Sequence, residues 1–184
     1  MKEKSIVEIG ICFIVLCLML SSCGTGYKVT TINDTNRGFK IYRMKGNFLP
    51  NPEAVKPYGN IQIDADFYDG GGPKANYAGL VVICLVPNGL QIQEDSSLTI
   101  TIDNTTTILS SNKPDYKVEE VEMQRKKYLL ERAWFQATED LICALGQAQT
   151  VEYSLKGKNK ILKGILSKEN IERFDSFCKE FVKE

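Results

Sequence analysis

The chain contains no histidine. That absence removes Ser-His-Asp and Cys-His catalysis as usually built. It also removes the commonest metal ligand and the usual neutral-pH base. Any chemistry would rest on carboxylates, lysine, tyrosine or cysteine alone. An excess of either charge is missing too: 23 Lys and Arg balance 23 Asp and Glu, for a formal net charge of +0. The pI lies near 6.4, and the basic stripe expected of a nucleic-acid binder is lacking. Lys156, Lys158, Lys160 and Lys163 come nearest, and a solvated hairpin accounts for them. No nucleic-acid partner is expected. Gly70-Gly71-Gly72-Pro73-Lys74 lacks the GxxxxGK[ST] spacing of a phosphate cradle. It reads as a turn, and no cofactor is expected.

Long apolar runs are also lacking. The longest, Ile9 to Leu20, falls short of the roughly 20 residues that a spanning helix needs. It follows a head carrying Lys2 and Lys4 and ends in Leu20-Ser21-Ser22-Cys23. Basic start, apolar middle and small residues at a cut are the three parts of a secretion signal. A cut placed just before a cysteine resembles the lipobox of bacterial lipoproteins. The resemblance covers only the first two dozen residues. It implies that Cys23 becomes the mature N-terminus, carries lipid and holds the chain to a membrane of the cell envelope, facing the periplasm or the exterior. The expected organisation is a cleaved signal peptide over 1–22, a tether over 23–27 and a single domain over 28–184.

Six cysteines are present, but Cys12 and Cys17 lie within the expected signal, and the lipobox resemblance implies that Cys23 carries lipid. Cys84, Cys143 and Cys178 remain, so at most one intramolecular pair can form. No CxxC spacing supports a zinc or thioredoxin-type site. Cys84 and Cys178 fall on faces expected to be buried, where they could meet as a disulfide. Cys143 is the odd one: it falls opposite the apolar face of its helix, which implies either exposure or contact with a second layer. Its place near a helix start leaves a reactive thiol open.

Strand signals dominate the rest. Lys28 to Asn33 and Gly38 to Lys45 read as strands, and proline-rich Asn47 to Gly59 as loop. Asn60 to Tyr68 alternates cleanly: Ile61, Ile63, Ala65 and Phe67 on one face, Gln62, Asp64, Asp66 and Tyr68 on the other. This pattern predicts a half-exposed strand whose acidic face is solvated. Tyr77 to Val86 is apolar throughout and predicts a central strand covered on both faces. Leu98 to Asp103 and Thr105 to Ser110 form a hairpin. Lys117 to Met123 and Lys126 to Phe135 are strands, the second with helix as an alternative. Thr138 opens one helix, with Leu141, Ala144, Leu145 and Ala148 on one face. Ser167 opens the last, carrying Ile171, Phe174, Phe177, Cys178, Phe181 and Val182 at helical spacing. Between them lies a hairpin turning at Gly157-Lys158-Asn159. The fold class is α+β: mainly an antiparallel β-sheet or sandwich, with two helices from the C-terminal half packed on it.

Candidate chemistry is sparse. Asp64, Asp66 and Asp69 invite a calcium reading, but counting from Asp64 the EF-hand pattern fails at positions five, six and twelve. A looser site from Asp66, Asp69 and loop carbonyls stays open, and no metal is assigned. Tyr128, Trp134 and Phe135 could form a ligand-facing patch, although strand aromatics are more often core. Glu119, Glu120 and Glu122 read as solvated charge, and no carboxylate pair points to glycosidase work. The expectation is a lipid-anchored, non-enzymatic binding or assembly module with a protein partner in the envelope. The alternatives are an immunity or inhibitor lipoprotein against a toxin or hydrolase, and a carboxylate- or Cys143-dependent enzyme.

Overall fold

Period-two alternation places apolar residues on a shared inner face of two antiparallel sheets in the computed structural model. It describes residues 26–50, 60–71, 75–92, 97–111, 117–123, 126–158 and 160–183. The strands are β1 (Lys28–Asp34), β2 (Phe39–Lys45), β3 (Asn60–Asp69), β4 (Tyr77–Pro87), β5 (Ser97–Ile102), β6 (Thr105–Ser110), β7 (Lys117–Met123) and β8 (Lys126–Ala137). Helix α1 (Glu139–Gln147), strands β9 (Val151–Lys156) and β10 (Ile161–Ile165), and helix α2 (Lys168–Phe177) follow. A π-helical turn, Cys178–Val182, continues α2.

The larger sheet has the order β1-β2-β3-β4-β8-β7 and the smaller one β10-β9-β5-β6. A bridge between Ser111 and Phe135 ties the end of β6 to the part of β8 that β7 leaves unpaired, so the two sheets curl into one body. The expected α+β class is the observed one. Lys126 to Phe135 is strand, because β8 is paired on both sides and its β-branched neighbours on β4 favour the pleat. The β5–β6 hairpin closes through Asp103 and Asn104, with φ of 44° and 76°, the left-handed pair that a tight two-residue turn needs.

Ile61, Ile63, Leu80, Val82 and Phe135 of the larger sheet share one hydrophobic cluster with Leu98, Ile100, Val151 and Leu155 of the smaller. Ile142, Leu145, Phe174 and Phe177 of the helices complete it. Burying each large side chain contributes about 1.5–3 kcal/mol before chain entropy is counted. Both helices start on their predicted caps. The Thr138 hydroxyl accepts from the Leu141 N–H, and the Ser167 hydroxyl from the Asn170 N–H.

The sequence left open whether any two of the three cysteines pair. Cys143 and Cys178 form the disulfide, with Cα atoms 5.2 Å apart, and Cys84 is the free, buried thiol. The predicted apolar face of α1 was rotated: Ile142, Cys143 and Leu145 are buried, while Leu141 and Ala144 are only half-buried. A second layer, α2, covers that side of α1, which is the second-layer contact that the sequence held open beside exposure for Cys143. Gly146 marks that crossing, since a Cβ there would lie 2.4 Å from the Asp175 Cα. Closing a loop of 35 residues stabilises the fold by about 3–4 kcal/mol in the chain-entropy treatment.

A polar cleft on the outer face of the larger sheet

Register decides which side chains meet on the face turned away from the core. Arg43 stands opposite Asp66, and Asp66 opposite Gly79. The next row runs Asp64, Val81, Trp134, and the one after it Gln62, Ile83, Arg132. All of these except Gly79 and Trp134, together with Gly46 and Phe48, line a cleft of about 390 Å³. Val81 and Ile83 form an apolar strip between β3 on one side and β8 on the other.

The acidic face of β3 is not solvated as its alternation predicts. Gln62, Asp64 and Asp66 are 8%, 3% and 0% exposed. Alternation reports polarity and not exposure, and here polar partners replace water. Asp66 receives Arg43 in a bidentate pair, Nε to Oδ1 at 2.9 Å and Nη2 to Oδ2 at 2.7 Å. Such a pair fixes both side chains while cancelling their charge. Asp64 accepts the Asn47 backbone N–H at 3.0 Å and a side-chain N–H of Gln62. Asn47 in turn donates its side chain to the Ile63 carbonyl at 3.0 Å and accepts from Asn170 Nδ2 at 2.8 Å. Asn170 also donates to the Phe48 carbonyl at 2.8 Å and accepts from the Ser167 hydroxyl at 2.6 Å. A buried polar chain thus runs from the cap of α2 to the wall of the cleft.

Burial pushes the Asp64 carboxyl up to about 6, against the pull of its Asn47 and Gln62 hydrogen bonds. The charge of Asp66 adds to the rise, and that of Arg132 opposes it. Arg132 is half-buried and makes no hydrogen bond or ion pair among the described residues. Its charge acts on Asp64 through space, as the smallest of the influences on that carboxyl.

The other predicted candidates separate. Asp66 is occupied by Arg43, and Asp69 accepts from the Gly71 N–H at 3.0 Å. Three residues apart on one strand, they point to opposite faces, so the calcium set is not assembled. Phe135 enters the core, and Tyr128 is also buried. Trp134 lies over Gly79, where a Cβ would come within 2.2 Å of the indole. The three therefore form no common patch. Glu119, Glu120 and Glu122 are exposed, with Glu120 paired to Lys127 at 2.6 Å. Cys143 is oxidised, and the Cys84 thiol is driven up by burial and then by Glu131, so neither is a nucleophile. Cys23, the residue expected to carry lipid, lies outside the described residues.

Two features escaped the sequence reading. Tyr68 and Tyr77 stack at 4.1 Å, with Phe39 edge-on to Tyr77 at 5.2 Å. Aromatics flanking the turn 69–76 at equal distance were the available signal. Glu131, wholly buried, accepts backbone N–H groups of Leu90, Gln91 at 3.0 Å and Ile92 at 2.8 Å. It anchors a loop in which Asn88 and Gln91 take φ of 59° and 57°. Nothing in its strand context separates it from a solvated glutamate. A second trough, on the smaller sheet, is lined by Thr99, Ser154, Lys163 and Ile165. Its charges, Glu152 and Lys163, are exposed, so solvent screens them in a way it does not screen Asp64.

The raised Asp64 carboxyl has a stability consequence. Its folded-state value, about 6, exceeds the ordinary 3.8, so the folded chain holds this proton more tightly than the unfolded one. Stability from this group is full below the ordinary value and is lost as pH rises through the window between the two, by roughly 3 kcal/mol. The Asp64→Asn variant lacks that loss. Urea unfolding across the window should show the variant gaining on the wild type by about that amount from acid to neutral pH. A difference that stays flat contradicts the assignment. No family model matches the chain, and neither does any curated protein or solved structure.

Proposed function

We propose that this chain is a lipid-anchored, non-enzymatic binding module of the bacterial cell envelope, and that it receives its ligand in the cleft between Asp64 and Arg132. The observation that carries the reading is the Arg132 guanidinium, without a hydrogen bond or ion pair among the described residues, beside a buried carboxylate and an apolar strip. A core strand gains nothing in stability from such an arrangement, because buried charge without a close partner is costly. Recognition gains a fixed donor and a fixed acceptor. The surrounding groups are spent on positioning: Arg43 on Asp66, Asn47 and Gln62 on Asp64. Both thiols that could have served as nucleophiles are buried or oxidised.

The anchor reading rests on Leu20-Ser21-Ser22-Cys23. The Cys143–Cys178 disulfide supports it, since such bonds persist in oxidising compartments outside the cytoplasm. Among the described residues, no helix is long and apolar enough to cross a membrane.

Two measurements test the proposal. Cys23→Ala should release the protein from the membrane fraction and leave the signal uncleaved by the lipoprotein route; wild-type size and full membrane retention refute the anchor. Native mass spectrometry of the detergent-extracted protein, after exposure to an envelope extract, should show a bound small molecule. Arg132→Gln should lose it. Equal occupancy in the variant, or no adduct in the wild type, refutes the cleft as the binding site.

A further inference from the structure

The charges of the cleft restrict what can enter it. Arg43 and Asp66 neutralise each other. Among the described residues that line the cleft, Asp64 and Arg132 are left as opposite charges on opposite walls, with the exposed Lys45 in addition. A simple anion would meet the Asp64 carboxylate, and a simple cation would meet Arg132. A neutral apolar molecule would leave both without a partner. The one chemistry that satisfies both walls carries a cation at one end and an anion at the other.

Asp64 and Arg132 are also kept from satisfying each other. The carboxylate oxygens are turned toward the Asn47 N–H and Gln62. β3 and β8 flank β4, so their backbones stand roughly 10 Å apart across the sheet, and the two residues sit in adjacent rows. Among the described residues no hydrogen bond or ion pair joins the two side chains across the space between these strands. Val81 and Ile83 floor that space, with Phe48 exposed at its edge. Each Asp64 oxygen retains acceptor capacity beyond the one bond it already takes. Arg132 offers the planar fork that matches a carboxylate.

We infer that the cleft binds a short zwitterion, an α-amino acid or dipeptide with an apolar side chain, its ammonium group on Asp64 and its carboxylate on Arg132. This rests on the binding reading above and narrows it to a ligand class. The ammonium N–H groups donate to Asp64, the Arg132 guanidinium donates to the ligand carboxylate, and the apolar side chain covers Val81 and Ile83. No covalent step is involved.

The test is calorimetric titration of the full-length protein in detergent with leucine, leucyl-leucine, N-acetyl-leucine and leucinamide. Leucine or leucyl-leucine should bind, and blocking either end should weaken binding about tenfold or more, the loss of one charge-assisted contact. Arg132→Gln should erase the preference for leucine over its amide while keeping the preference over N-acetyl-leucine. Asp64→Asn should do the reverse. The wild-type series alone is decisive if either variant misfolds. Blocked compounds that bind as well as the free ones overturn the inference, and so does binding of none of the four. If none binds while native mass spectrometry still shows an adduct that Arg132→Gln lacks, the ligand class is wrong and the binding reading stands. If both fail, both are wrong.

Discussion

The outer face of the larger sheet depends on Asn47. Its backbone N–H holds the Asp64 carboxylate, while its side chain joins the Ile63 carbonyl to Asn170. One residue therefore binds the strand, the end of β2 and the cap of α2 together. An ionisable carboxylate at 3% exposure would otherwise be tolerated poorly, because an unpaired buried charge neutralises or unfolds its site. Here it stays next to neutrality, at about 6. The cost of desolvating it is partly offset by two directed hydrogen bonds. Such a group is responsive: a nearby cation would draw it fully into its charged form.

Helix α2 belongs to this arrangement as much as to the core. Its cap residue Ser167 and first-turn Asn170 hold the β2–β3 connection through Asn47 and Phe48, and Arg173 donates to the Gly46 carbonyl at 3.1 Å. Gly46, with φ of 82°, has no room for a side chain, since a Cβ would lie 2.8 Å from the Gly26 carbonyl oxygen. Tyr27 reaches the same helix, its hydroxyl donating to the Arg173 carbonyl at 3.2 Å. The part of the expected tether nearest the domain is thus docked beside α2. The disulfide fixes α1 to the turn that follows α2. Core, helices and cleft form one mechanical unit in which the cleft wall is set from behind.

Most of the architecture was legible because it follows from period. β3, β4 and the β5–β6 hairpin announce themselves by alternation and turn residues, and both helices by their caps. The site was not legible, for three physical reasons. Alternation cannot distinguish a polar face turned to water from one turned to polar partners, so Asp64 and Asp66 read as solvated. Long-range hydrogen bonds such as Asn170 to Asn47 join residues 123 apart and leave no local pattern. Arg132 is one charged residue in a strand, and only the register with Ile83 and Gln62 gives it a cleft to face. The cysteine pairing was left open for a related reason. The face of a short helix such as α1 is ambiguous until the layer packed on it is known.

The central claim is that Asp64 is held buried and titratable in the wall of the cleft, within the field of Arg132. Carbon-detected NMR of the side-chain carboxyl, followed across an acid-to-neutral titration, reads it directly. The account predicts a midpoint for Asp64 of about 6, well above the ordinary carboxylate range. A midpoint at or below the ordinary 3.8 would mean that the carboxylate is solvated or directly paired, and would contradict the account.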